Sequence, residues 1–269
     1  MKKPHYDNDW SLAVKQLYKH DMEEYWDKSL VPNKWNQYKN LLNTYMSLVP
    51  DVQQLDILDV GCAQATLALL LAEQGHKVTA VDLRQESLDY AQSRYEKGEI
   101  EFIQQNVLEA KLEKSYDLVF ANQIIEHLVY PEKMVNTLKK MLKPGGKLIV
   151  ATPNHAYLKC TLPSFTELGN PKDWEEKQFT ADGDGHFFAY TAEELKTIFD
   201  QCEIHNIDCR LFETPFISGH MKLRYLHKLL PFKLLKLLDS ITLALPFLQK
   251  RCSHQIVISG TIVSEAAKS

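Results

Sequence analysis

The pattern of apolar and polar positions divides the chain into zones. Residues 1 to 50 are polar, helical and rich in aromatics, and Ser11 to His20 and Asn33 to Leu48 read as helices capped by Ser11 and Asn33. From 55 to 155 short apolar runs alternate with longer mixed stretches. The runs predict strands at 55–60, 77–81, 100–104, 116–121 and 147–152, and the stretches predict helices at 65–74, 85–96 and 131–142. That alternation implies a parallel sheet with right-handed crossovers. Residues 153 to 190 carry no such pattern and read as a long irregular segment. Thr191-Ala192-Glu193-Glu194 then starts a helix reaching about Gln201, with a Thr cap and a glutamate at the third helical position. A strand near 205–213 and a last strand at 255–262 follow.

The stretch from Leu55 to Thr66 carries the first chemistry. Ile57, Leu58 and Val60 suit a strand covered on both faces. Gly61, Ala63 and Ala65 are small enough to let a ligand approach the backbone, and Thr66 opens a helix whose free amides face that turn. The next strand ends on Asp82, beside Leu83, and a carboxylate there accepts from the two hydroxyls of a ribose. The turn lacks the third glycine of a dinucleotide fingerprint and places Asp59 two residues before Gly61. A carboxylate repels a pyrophosphate and attracts an amino-acid ammonium, so the expected ligand carries a positive amino acid.

Five pieces then come in one order: Leu58-Asp59-Val60-Gly61-Cys62, Val81-Asp82, Tyr116 to Phe120, Ile125-Glu126-His127-Leu128 with Pro131, and Leu142 to Leu148. Over residues 55 to 155 the chain resembles the class I S-adenosylmethionine-dependent methyltransferases, in particular the branch of ubiquinone-biosynthesis O-methyltransferases and other small-molecule methyltransferases. The resemblance implies a doubly wound Rossmann-like α/β fold, mostly parallel, with an antiparallel last strand. It implies S-adenosylmethionine as cofactor, held by Asp59, Gly61, Ala63, Asp82, Leu83, Asn106, Val107 and Asn122. Residues 1–50 become an N-terminal helical lid in which Tyr25 and Trp26 close over the cofactor; packing between helices is the other reading of those rings. Residues 51–269 become the methyltransferase domain. Two departures stand out. Ala63 and Ala65 replace glycines of the family turn, which alanine follows if φ stays negative. Gln123 replaces a glutamate that in some relatives helps bind magnesium; a neutral amide is a poor ligand for a hard cation, so no metal is expected.

Asn106 stands where the family often has an aspartate bonded to the adenine amino group; closing a loop turn is its other reading. Residues 153–190 are expected to form an acceptor loop over the pocket. Between the last two strands, residues 215–252 form a helical insertion in which Leu234, Leu237, Leu238, Ile241 and Leu245 recur at helical spacing. It is too short and interrupted to span a bilayer. Three readings compete: a cap over the acceptor pocket, a homodimer face, or peripheral membrane contact. The first two rank ahead because an apolar helical stripe is usually buried in protein.

Net charge changes the picture little. The chain of 269 residues has a formal charge of −4, with no Lys/Arg-rich block to suggest nucleic acid. Its five scattered cysteines form no C-x-x-C pair, and the N-terminus lacks a secretory pattern, so a reduced cytoplasmic protein is expected. The expected reaction is methylation of a small-molecule or glycan acceptor, at a hydroxyl. A catalytically silent cofactor-binding scaffold and a nicotinamide-dependent oxidoreductase are the competing classes. Hydroxyl methylation needs a base, and histidine suits it near neutral pH. His186, in Gly185-His186-Phe187-Phe188, is the first candidate and His127 the next, with His155 a third at the same rim.

Overall fold

A computed structural model describes residues 1–106, 108–109, 112–177 and 188–263. Seven strands form one sheet: β1 (Asp56–Val60), β2 (Lys77–Asp82), β3 (Glu99–Gln104), β4 (Tyr116–Asn122), β5 (Leu142–Pro153), β6 (His205–Phe212) and β7 (Gln255–Thr261). Their order is β3-β2-β1-β4-β5-β7-β6. The first five strands run parallel, and β7 lies antiparallel between β5 and β6. This is the mostly parallel sheet that the alternation predicts, in the doubly wound form that the resemblance implies. Strand order reverses between β1 and β4, and such a reversal leaves a crevice at the carboxyl ends of the strands.

Ten helices accompany the sheet among the described residues. They are α1 (Leu12–Asp21), α2 (Pro32–Met46), α3 (Thr66–Glu73), α4 (Gln85–Ser93), α5 (Pro131–Lys139) and α6 (Ala192–Gln201), followed by α7 (Pro215–Ser218), α8 (Leu226–Leu229), α9 (Phe232–Ala244) and α10 (Pro246–Cys252). A π-helical turn, Met22–Trp26, extends α1. Alternate residues of each central strand serve opposite layers. Leu58, Val119, Leu148 and Ile258 face α5 and α6. Ile57, Leu118, Phe120, Ile149 and Val257 face α2 and α3. All nine are buried.

The local signals mostly act as expected. Ser11 accepts from the Val14 amide at the start of α1, and Thr191 and Glu194 form a reciprocal capping box on α6. The second helix differs: Pro32 occupies its first turn and Val31 precedes it without a side-chain cap, so Asn33 is inside the helix.

The backbone corrects one expectation, and exposure bears on a second. Ala63 and Ala65 do not keep φ negative; they stand at φ +46° and +53°, in the left-handed region. Alanine there costs about 1–2 kcal/mol against glycine's free choice. The apolar stripe of the insertion is not buried either. Leu234, Leu237, Ile241 and Leu245 are exposed, because α9 turns Leu235 and Asp239 inward instead. Asp239 accepts from the Thr214 amide at 2.8 Å, which anchors that inner face. The insertion reaches α2 through Asn36, whose amide is 3.0 Å from His227 Nδ1, and through Asn33, which donates to the Ser218 carbonyl.

Candidate functional site

The crevice at the reversal holds a cavity of about 600 Å³. Asp59 to Ala63 form its base after β1, with Asp82, Leu83 and Arg84 after β2 and Gln105 and Asn106 after β3. Asn122, Gln123, Ile124, His127 and Leu128 follow β4. One face of α2, carrying Tyr38, Leu41, Leu42 and Tyr45, closes the side.

The turn after β1 is fixed by its neighbours. Gly61 and Cys62 both donate to the Val81 carbonyl, at 2.7 and 3.1 Å. Gly61 stands at φ +65°, and a Cβ there would fall 2.6 Å from Ile124 Cδ1, so only glycine fits without movement. Asp82 accepts from the Ala63 amide through one oxygen and from the Arg84 amide through the other, each at 2.9 Å. A carboxylate has about four acceptor positions, so capacity remains for a ligand.

Asp59 is buried in the same wall. Burial pushes its carboxyl up to about 7, and the nearby Asp82 charge adds to the shift. Two further polar atoms are buried without partners: Gln105 Oε1 and Asn122 Oδ1. Such atoms are costly unless a ligand meets them. Asn106 shows the turn-closing arrangement, since its side-chain oxygen accepts from the Leu108 amide at 3.0 Å.

The far end of the wall is polar. Gln123, at φ +55°, donates to Gln255 Oε1 at 3.0 Å. Beside it, His254 Nδ1 lies 2.8 Å from Glu213 Oε1, and the same oxygen accepts from Gln37 at 2.8 Å. Glu213 is fully buried and is the shared acceptor of this row. His127 is half-buried in the wall itself. Its neighbour Glu126 points away, fully buried, and accepts from Thr152 at 3.0 Å; burial pushes that carboxyl up to about 8.

Eight of the residues named from sequence thus share one wall: Asp59, Gly61, Ala63, Asp82, Leu83, Asn106, Asn122 and His127. Val107 and His186 lie outside the described residues. Tyr25 and Trp26 are not in the wall. Trp26 donates to Asp21 at 2.9 Å, and Tyr25 packs edge-on against it with ring centroids 5.1 Å apart. They reach the site through Arg94. That guanidinium is fully buried, pairs with Asp21 at 2.8 Å, donates to Thr66 Oγ1 at 2.9 Å and holds the Gln64 carbonyl of the turn. The described residues of 153–190 and 215–252 contribute nothing to the wall. His155 donates its backbone amide to Tyr190 instead.

Sequence reasoning missed Gln105, the Glu213–His254 pair and the part of α2 in lining the cavity. Tyr38, Leu41, Leu42 and Tyr45 do show one helical face (i, i+3, i+4, i+7), which is a readable signal. Glu213 and His254 are far apart in the chain and carry none.

Comparison with known proteins adds three findings. Residues 51–201 match the family described as "Methyltransferase domain". The chain is similar to the ubiquinone biosynthesis O-methyltransferases of Rickettsia conorii, at 35% identity over 106 residues, and of Rickettsia akari, at 37% over 106 residues. These alignments cover 39% and 38% of this chain but only 37% and 42% of those proteins. Among solved structures, a Haemonchus contortus phosphoethanolamine N-methyltransferase 2 with bound S-adenosylhomocysteine superposes with a TM-score of 0.57 at 16% identity, covering 91% of this chain and 59% of that one. An S-adenosylmethionine-dependent methyltransferase from Archaeoglobus fulgidus superposes with a TM-score of 0.56 at 14% identity, covering 91% of this chain and 98% of that one. At such identities the superpositions show a common fold.

Proposed function

We propose, from the premise that this chain belongs to the methyltransferase-domain family, the class I S-adenosylmethionine-dependent methyltransferases, that it methylates a hydroxyl of a small-molecule or glycan acceptor. The observation that carries the reading is the pair of buried carboxylates, Asp59 and Asp82, at adjacent strand ends in one cavity with the unpartnered Gln105 and Asn122. The bound cofactor supplies a methyl group on a sulfonium with a good leaving group. The chain's residues bind, orient and exclude water around it. Asp82 accepts from the ribose hydroxyls, Asp59 faces the amino-acid ammonium, Gln105 Oε1 accepts from the adenine amino group, and Asn122 lies along the methionine moiety. Residues 1–50 act as the lid through α2, with Tyr25 and Trp26 acting through Asp21 and Arg94. The preference for a hydroxyl rests on the names of the curated relatives, of which this chain spans less than half.

The binding half of this reading is tested on Asp82. In Asp82→Ala the ribose loses a charged acceptor, a loss of about 1.5–3 kcal/mol. Cofactor affinity by calorimetry is expected to fall roughly tenfold or more. An unchanged affinity overturns the assignment. Transfer itself is read by incubating the protein with methyl-labelled cofactor and a panel of hydroxylated acceptors; binding without transfer to any of them favours a silent scaffold.

Asp59 gives a pH dependence. Its carboxyl, raised to about 7, is half protonated near neutrality in the free protein. A ligand ammonium favours the ionised form, so binding releases a proton. Affinity is therefore expected to rise with pH toward about 7 and level off above it. Calorimetry at about pH 6 and about pH 8, in buffers of different ionisation enthalpy, reads the proton directly. An affinity flat across that range, with no proton released, removes Asp59 from the ammonium site.

A further inference from the structure

Exposed apolar side chains are concentrated in one place. Of the sixteen large ones among the described residues, nine lie between Met221 and Leu248. Leu229 is 77% exposed, Leu237 54%, Ile241 53% and Phe247 81%. On α9 the exposed Leu234, Leu237 and Ile241 are spaced i, i+3, i+7, one ridge along the helix, and Leu245 and Phe247 continue the apolar run past its end. Asp239, on the inner face, ties the helix to Thr214, so the ridge is held outward.

Charge in the same stretch is one-sided. Residues 221–251 contain seven Lys and Arg and a single acid, Asp239, in a chain whose net charge is −4. That acid is buried and already paired with Lys236 at 2.8 Å. An apolar ridge edged by cations, on helices shorter than a bilayer, is the pattern of an interfacial surface. Among the described residues no helix is long and apolar enough to cross a membrane.

We infer that this face docks on the surface of an anionic lipid bilayer. Leu237, Ile241, Leu245 and Phe247 enter the boundary between headgroups and acyl chains, and Lys228, Lys233, Lys250 and Arg251 meet the lipid charge. The charge pattern selects this occupant over a second copy of the chain. A two-fold contact sets the same patch against itself, and a patch with seven cations and one buried acid offers those cations no opposite charge. A bilayer rich in anionic headgroups presents the opposite sign and accepts the apolar ridge as well.

The test uses the full chain and two kinds of vesicle, phosphatidylcholine alone and phosphatidylcholine with an equal part of phosphatidylglycerol. Co-sedimentation is expected with the mixed vesicles, at least about tenfold weaker with the neutral ones, and weakened by salt. Two double variants, Ile241→Asp with Phe247→Asp and Lys233→Glu with Lys250→Glu, change exposed side chains outside the cavity wall. Each is expected to lose vesicle binding about tenfold or more while its circular dichroism and its affinity for S-adenosylmethionine stay at the wild-type values. The inference is overturned if the wild type ignores anionic vesicles at low salt, or if both variants bind as the wild type does. Sedimentation velocity covers the remaining case: a dimer that dissolves in the Ile241, Phe247 variant, with no vesicle binding, makes the face a contact between copies. Neither arm depends on the identity of the methyl acceptor.

Discussion

Exchanging Arg94 for methionine is expected to cost about 3–5 kcal/mol of folding stability, the loss typical of breaking a buried ion pair. Arg94 and Asp21 are both fully buried and 2.8 Å apart. Burial pushes the Asp21 carboxyl up, and the guanidinium is the largest influence opposing that shift. Removing the cation leaves a carboxylate in the interior with only Trp26 and Tyr90 donating to it. For a chain of this size each kcal/mol corresponds to roughly 2–4 °C in melting temperature, so a drop of roughly 6–20 °C is expected. The same change frees the Gln64 carbonyl and Thr66 hydroxyl that Arg94 holds, so cofactor affinity falls with it. Adding Asp21→Leu to Arg94→Met removes the stranded charge and is expected to recover much of the stability, since an apolar pair often replaces a buried ion pair well. Thermal unfolding of the two variants checks both statements. Equal melting of wild type and Arg94→Met shows that the pair contributes nothing.

Turnover is expected to fall by about 100-fold or more in His127→Ala, with cofactor affinity unchanged. A base must reach the proton it removes, and His127 is in the wall of the cavity; His186, the first candidate from sequence, lies outside the described residues. Its ring is half-buried in the case of His127, so part of it stays open to the cavity. His186→Ala, assayed alongside at saturating cofactor, compares the two candidate bases. If His186→Ala falls by that factor and His127→Ala does not, the proton goes to the loop. If both keep near-normal rates, orientation of the acceptor alone carries the reaction.

The sheet and the cofactor half of the site are legible in the sequence because they are local. Strand, small-residue turn and helix follow one another within a dozen residues at Leu55 to Thr66, and Asp82 ends the very next strand. A short apolar run can be read without knowing its partners. The rest depends on partners distant in the chain. Asp21 meets Arg94, Gln37 meets Glu213, and Gln123 meets Gln255, and no spacing announces any of these contacts. The turn shows a second limit. Alanine at 63 and 65 suggests ordinary φ, yet the hydrogen bonds from Gly61, Cys62 and Ala63 to the neighbouring strand impose the left-handed path on both. The α9 stripe shows a third. Periodicity says that one face is apolar; it does not say whether protein or something else covers it.

The place of β7 has a consequence for how the chain is made. β5 ends at Pro153, but the strand that covers its outer edge begins at Gln255, about a hundred residues later. β6 cannot stand in, because it pairs with β7 alone. While a ribosome adds those residues, at about 5–20 per second, the outer edge of β5 lacks its partner for roughly 5–20 seconds. Such an edge is a template for unwanted strand pairing. The residues that line the crevice, by contrast, all lie between Tyr38 and Leu128. The wall of the crevice is therefore synthesised more than a hundred residues before the strand that completes the sheet, and Gln123 gains its partner Gln255 only when that strand arrives.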